Sequence, residues 1–201
     1  MMEQISYWVT AAAFAIVIVC WFVFAAAFLF RKRVAASPDT VKAPKSWAGI
    51  ILQGLSYAVV WSLHRTPVFS SFTGDLYGFN IVLQIMAAAL SIGSVFLTMA
   101  AIRELGKQWS LEARLVEGHK LVTTGPYDLV RHPIYTAMFG KLIATGVVLS
   151  HWAVLLAAIV IFLIGTLIRT KFEERLLGDA FGEEFAKWKA RVPGLIPFVK
   201  I

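Results

Sequence analysis

Charge is scarce in this sequence. Of its 201 residues only 15% are Asp, Glu, Lys or Arg, against about 25% in soluble domains. Cysteine is nearly absent: Cys20 stands alone inside an apolar run, so an internal disulfide is excluded and nothing nearby would ionise the thiol into a nucleophile. No basic run exceeds Arg31-Lys32-Arg33, so the net charge of +7 does not form the tract that nucleic-acid binding requires. Apolar residues fill the chain instead, at 59%, with seven Trp and fifteen Phe. That lies above the soluble range of about 45–50% and suits side chains that meet lipid tails and headgroups. The sequence reads as an integral membrane protein with membrane lipids, and no nucleic acid, among its partners.

Residues 5–30 carry no charge, and a bilayer crossing needs about 20 residues. A signal peptide would have a basic leader and a small-residue cleavage site; here Glu3 leads and the basic triplet follows, so the segment reads as a retained first helix. Spans are expected at 47–63 and 76–102. The apolar stretch 134–168, broken only by Lys141 and His151, would be about 52 Å long as one helix, too long for one crossing. A hairpin at Ser150-His151-Trp152 divides it. The expected fold is an all-α bundle of about five transmembrane helices, the last two a helical hairpin. Lys and Arg number five in 31–47, five in 103–132 and seven in 169–201, seventeen in all, while the opposite side holds only Arg65. This asymmetry predicts the N-terminus outside and the C-terminus in the cytoplasm.

Beyond the last span, Phe172, Leu176, Leu177, Ala180, Phe181, Phe185 and Trp188 recur at helical spacing. They predict a separate amphipathic helix that lies at the interface or against the bundle. Gly178 and Gly182 weaken it, and Pro193 and Pro197 end it. Lys141, two turns into the fourth span, is an intramembrane ionisable group, a functional candidate by default, whose stem can snorkel.

The polar features that are not simple flanks fall in two pieces. The first runs Gly118-His119-Lys120-Leu121-Val122, then Gly125-Pro126-Tyr127 and Arg131-His132-Pro133-Ile134-Tyr135. Pro133 suits the first turn of a helix, so two His, two Tyr and an Arg meet at a helix mouth. The second has Arg169 and Glu173, four apart on one helix face, followed by Glu174. Plainer readings exist: Arg131 and Arg169 as topological flanks, Tyr127 and Tyr135 as interfacial aromatics, Glu173-Glu174 as a solvated helix start. His119 and His132, thirteen apart with no other Cys or His nearby, are poor metal ligands.

The order His119-x-Leu121-Val122, Gly125-Pro126-Tyr127, Arg131-His132-Pro133-x-Tyr135, Arg169-Thr170-x-x-Glu173-Glu174, Phe181-Gly182-Glu183-Glu184-Phe185 and Val192-Pro193 resembles the isoprenylcysteine carboxyl methyltransferase family in its prokaryotic, integral-membrane form. The resemblance covers roughly the C-terminal half; the first hundred residues match only in hydropathy. It implies transmembrane helices one to three in 1–102 and a methyltransferase core in 103–201. It also implies an S-adenosylmethionine-dependent O-methyltransferase with its site on the cytoplasmic face, in a bacterial or archaeal inner membrane. Carried over by position, the cofactor-binding residues are His119, Lys120, Leu121, Val122, Tyr127, His132, Pro133, Ile134, Tyr135 and Glu173. Arg169 would bind the acceptor's carboxylate and, with Glu173, form the catalytic pair.

The residue chemistry is compatible with this. Methyl transfer from a sulfonium needs no metal, and no base when the acceptor is an anion, so positioning and desolvation carry it. Tyr127 and Tyr135 can contact the adenine or the sulfonium, and Arg169 offers a planar fork for a carboxylate. The acceptor would be a lipophilic small molecule or a lipidated protein, such as a prenylated cysteine; in a host without prenylated proteins the same architecture could serve a small thiol, an isoprenoid acid or a phospholipid amine. Two other functions fit less of the sequence. One is a membrane sterol-type reductase using NADPH, although such chains have more spans and a different end motif. The other is a haem or quinone carrier using His64 and His151 near the outer span ends.

Overall fold

The computed structural model describes residues 1–29, 41–42, 46–108, 114–115 and 120–197. Arg31-Lys32-Arg33 and His119 lie outside the described residues. Five apolar helices form the bundle: α1 (Met2–Leu29), α2 (Trp47–Ser62), α3 (Tyr77–Leu105), α5 (Pro133–Leu149) and α6 (Trp152–Arg191), with a short α4 (Pro126–Leu129) between α3 and α5. α1, α3 and α6 are long and apolar enough to cross a membrane; α2 and α5, with 16 and 17 residues, are shorter apolar helices. Two-residue strands, β1 (Val41–Lys42) and β2 (Arg114–Leu115), pair antiparallel. The protein is thus an all-α membrane bundle, and α5 and α6 form the hairpin expected at Ser150-His151-Trp152.

α3 packs on α1 and α5, and α2 lies along α6. Large apolar side chains such as Phe22, Phe96, Ile51 and Leu167 face outward, where lipid tails receive them. The interior face of α3 is polar: Asn80, Gln84, Ser91, Ser94 and Thr98 are buried at helical spacing. In a membrane such side chains join helices by hydrogen bonds. Asn80 Nδ2 donates to Ser6 Oγ at 2.8 Å and Thr10 Oγ1 at 3.2 Å, and Gln84 Nε2 donates to Val147 O at 3.3 Å, so α1, α3 and α5 are tied at one end.

At that same end Arg65 is only 2% exposed. Its guanidinium donates to Val147 O at 3.2 Å, Val148 O at 2.7 Å and Ser150 O, and its Nε donates to Ser70 O. Of the carbonyls that α5 leaves unpaired at its C-terminus, Val147 O and Val148 O are met by this side chain and Leu149 O by the Arg65 backbone N–H at 2.9 Å. Arg65 therefore works as a buried cap and not as a surface charge. His64 and His151 are exposed here, and the His64 ring nitrogen donates to Arg65 O at 3.1 Å.

Lys141 does not snorkel: it is fully buried, with Nζ donating to Ser91 Oγ at 2.8 Å and Val17 O at 3.2 Å, 5.3 Å from the Trp21 ring centroid. Polar partners on α1 and α3 hold its ammonium inside the bundle. The amphipathic stretch starts as a continuation of α6 and not at the membrane exit: the helix breaks only at Gly182, whose φ of 51° is open to glycine and costly for most other residues, and a second helical piece runs from there to Arg191. The kink lets Phe185, Trp188 and Val192 pack with Ala101 and Tyr127 across the end of the bundle.

Candidate functional site

The site lies at the end opposite Arg65, where α5 begins and α6 continues past the apolar core. Val130 is extended, and Pro133 opens α5 in its first turn. The corner between them is held by the C-terminal segment: Arg131 N donates to Pro193 O at 2.8 Å and His132 N to Gly194 O at 3.0 Å, while Thr136 Oγ1 donates to Leu195 O. This fixes His132 and Tyr135 beside α6, their rings stacked 5.8 Å apart at 26°.

Opposite them α6 presents Arg169, Glu173 and Glu174. Arg169 Nε donates to Tyr135 Oη at 2.9 Å and its Nη2 to Glu173 Oε1 at 2.8 Å; the Tyr135 hydroxyl donates to the same carboxylate oxygen. The guanidinium carbon lies 5.8 Å from the Tyr135 ring centroid. His132 Nδ1 stands 3.7 Å from Glu173 Oε2. Tyr135, Arg169, Glu173 and His132 thus form one polar knot. Arg169 is 3% exposed, whereas the Glu173 side chain is 22% exposed and reaches the open side.

Glu174 has a different setting. Its Oε1 accepts from Arg131 Nε at 2.8 Å and pairs with His132 Nε2 at 3.1 Å, and its Oε2 meets Lys189 Nζ at 2.7 Å. Arg131 also donates to the carbonyls of Lys189 and Val192. Burial by itself would raise the Glu174 carboxyl; the hydrogen bonds from His132, Lys189 and Arg131 outweigh it and hold the group well below the usual carboxylate range.

The remaining predicted residues form an apolar flank. Leu121, Val122 and Ile134 pack around buried Tyr127 with Phe181, Phe185 and Trp188, and Trp188 Nε1 donates to Tyr127 O at 3.2 Å. Lys120 is exposed at the edge, its backbone N–H donating to Gln108 Oε1. The structure therefore brings His132, Tyr135, Arg169 and Glu173 together and sets Leu121, Val122, Tyr127 and Ile134 beside one another. The position-by-position reading passed over Glu174, and Lys189 with it. Neighbouring residues on a helix point about 100° apart, so Glu173 and Glu174 serve different partners although the sequence presents them as a pair.

Among the described residues, no group of three or more His, Cys, Asp or Glu side chains is arranged to hold a metal ion. The phospholipid methyltransferase family model matches residues 82–184, the segment that carries α5, the corner and most of α6. The chain is 32% identical over 105 residues to protein-S-isoprenylcysteine O-methyltransferase B of Arabidopsis thaliana, covering 51% of this chain and 53% of that protein. It is 34% identical over 118 residues to the nickel-cobalt-cadmium resistance protein NccN of Alcaligenes xylosoxydans xylosoxydans, covering 56% of this chain and 52% of that protein. It is 26% identical over 202 residues to a probable protein-S-isoprenylcysteine O-methyltransferase of Oryza sativa subsp. indica, across the whole of both. The chain spans about half the length of the first two of these relatives.

Proposed function

The chain belongs to the phospholipid methyltransferase family, in keeping with its resemblance to isoprenylcysteine carboxyl methyltransferases, and from that premise we propose that it methylates a lipophilic carboxylate acceptor with S-adenosylmethionine at the cytoplasmic face of the membrane. The observation that carries this reading is the knot of Tyr135, Arg169 and Glu173 at one end of a lipid-facing bundle.

The donor set suits the cofactor. Glu173 is an accessible carboxylate able to accept from hydroxyl or ammonium groups, and the stacked rings of His132 and Tyr135 offer aromatic faces to a cation. Leu121, Val122 and Tyr127 supply an apolar wall beside them. When bound, S-adenosylmethionine supplies a methyl group on a sulfonium, which passes to a carboxylate oxygen as the carbon–sulfur bond breaks and a neutral thioether departs. The carboxylate already carries the electron pair, so no base is required of the protein. Arg169 orients the acceptor's carboxylate, with Tyr135 and Glu173 fixing the plane of its guanidinium. Exclusion of water from this buried corner favours a step in which opposite charges neutralise each other. A lipid tail on the acceptor can lie among the outward apolar side chains of the bundle.

The testing experiment is calorimetric titration of detergent-purified protein with S-adenosylhomocysteine, followed by labelled-methyl transfer to prenylcysteine analogues, isoprenoid acids and small thiols. Absence of binding at high micromolar concentration removes the proposal. Binding with transfer to thiols alone replaces the carboxylate acceptor with a sulfur one.

A further inference from the structure

We infer that α2, which lies outside the segment matched by the family model, positions Arg169: Gly49 makes the space in which the Arg169 stem lies, and Gln53 holds the register of the helix face that carries it. The inference rests on the functional reading above for what Arg169 does, and on contacts alone for how it is held.

α2 and α6 cross backbone against backbone. A Cβ at Gly49 would stand 2.5 Å from Gly165 O, 2.6 Å from Arg169 Cγ and 3.2 Å from Arg169 Cδ. A Cβ at Gly165 would stand 2.8 Å from Gly49 O and 2.9 Å from Leu52 Cβ. One turn deeper, buried Gln53 donates from Nε2 to Thr166 Oγ1 at 2.9 Å. Gly165 lies four residues and Thr166 three residues before Arg169, so each borders the face of α6 that carries Arg169. The guanidinium is tied on its far side to Tyr135 and Glu173. Its stem is thus confined between the α2 backbone and the α5 corner and cannot swing aside to admit a methyl group at position 49. Gly54 is a different case: a Cβ there meets nothing within 4 Å.

Small residues also bring membrane helices together without serving any site. Two measurements separate packing from positioning. The first is a thermal-unfolding cycle in detergent with wild type, Gly49→Ala, Arg169→Ala and the double variant. Gly49→Ala should lower the melting temperature by several degrees, and part of that loss should return when residue 169 has no Cγ or Cδ to collide with. Strict additivity overturns the contact. The second is methyl transfer per folded protein. Gly49→Ala should lose roughly 10–100-fold, the scale of a small misplacement of a catalytic group, with S-adenosylhomocysteine affinity unchanged.

The control is Gly146→Ala, a second close approach between helices, where a Cβ would overlap Leu155 Cδ1 and stand 3.3 Å from Leu155 Cβ instead of against a backbone oxygen. It lies eleven residues along α5 from Tyr135, about 16 Å away. It should lose stability and keep its specific activity. Equal activity losses in the two alanine variants, or full transfer by Gly49→Ala, overturn the positioning role. If Gly49→Ala does not fold, Gln53→Leu adds no bulk and removes the bond to Thr166; it should reduce transfer with affinity unchanged, and normal transfer overturns the proposal. If wild type transfers no methyl group, the functional reading fails, and the unfolding cycle still decides whether Gly49 and Arg169 are coupled.

Discussion

Arg131 Nε and Glu174 Oε1 lie 2.8 Å apart although 43 residues separate them in sequence. Their contact joins the corner before α5 to α6, and with Lys189 it anchors the chain that returns across the site. Glu173, the next residue, faces the other way, toward Tyr135 and Arg169. One glutamate fastens the site and its neighbour lines it.

Glu174→Ala should therefore cost more stability than Glu173→Ala. It leaves the Arg131 and Lys189 cations without their carboxylate, a loss of about 3 kcal/mol, at the low end for a buried pair because Lys189 reaches solvent. The comparison is read from thermal unfolding in detergent. A larger loss in Glu173→Ala would reverse the division of roles.

The same carboxylate gives a pH dependence. An unfolded chain protonates Glu at about pH 4.3, whereas the folded protein holds Glu174 charged well below that. Its contribution to stability is complete above about pH 5 and is lost as the pH falls through about 4 and below. Melting temperature should drop on acidification from about pH 5 to 3, and Glu174→Gln should flatten that slope. An unchanged slope would mean that other carboxylates carry it.

Tyr135→Ala and Glu173→Ala should each weaken S-adenosylhomocysteine binding roughly ten- to a hundredfold, the loss of one hydrogen bond to a charged group. Calorimetry measures this directly. Normal affinity in Glu173→Ala would leave that residue as a support for Arg169 alone.

Arg169→Ala should abolish transfer while S-adenosylhomocysteine still binds. Arg169→Lys should restore little, since a single ammonium cannot replace a fork that contacts Tyr135 and Glu173 from separate nitrogens. A topological flank would accept either cation, so a fully active lysine variant would sink the acceptor role.

For orientation, a cysteine placed at Ser70 in a Cys20→Ala background should react with an impermeant reagent from outside the cell, and one at position 40 only after permeabilisation. The loop that carries Ser70 shares an end of the bundle with the Arg65 cap, away from Glu173. The opposite labelling pattern would put the site outside.

The sequence by itself determined the helices and the corner. Hydropathy is a local property, so the uncharged run of α1 and the hairpin at Ser150-His151-Trp152 could be read without coordinates, and so could Arg169 and Glu173 sharing a face four residues apart. The pairing of distant residues was decided only by tertiary structure. Lys141 turned inward because α1 and α3 supply acceptors for it, and Arg65 became a cap because the C-terminal carbonyls of α5 fall within its reach. α6 ran on past the bundle because its apolar stripe found Tyr127 and Ala101 to cover it once Gly182 bent the chain. Glu173 and Glu174 separated in role because the partners of Glu174 come from two distant segments, Arg131 and His132 before α5 and Lys189 beyond the Gly182 kink. Hydrogen bonds, ion pairs and close backbone approaches act over a few ångströms in space. The sequence states which groups exist, and only the packing of the bundle brings particular ones within that distance.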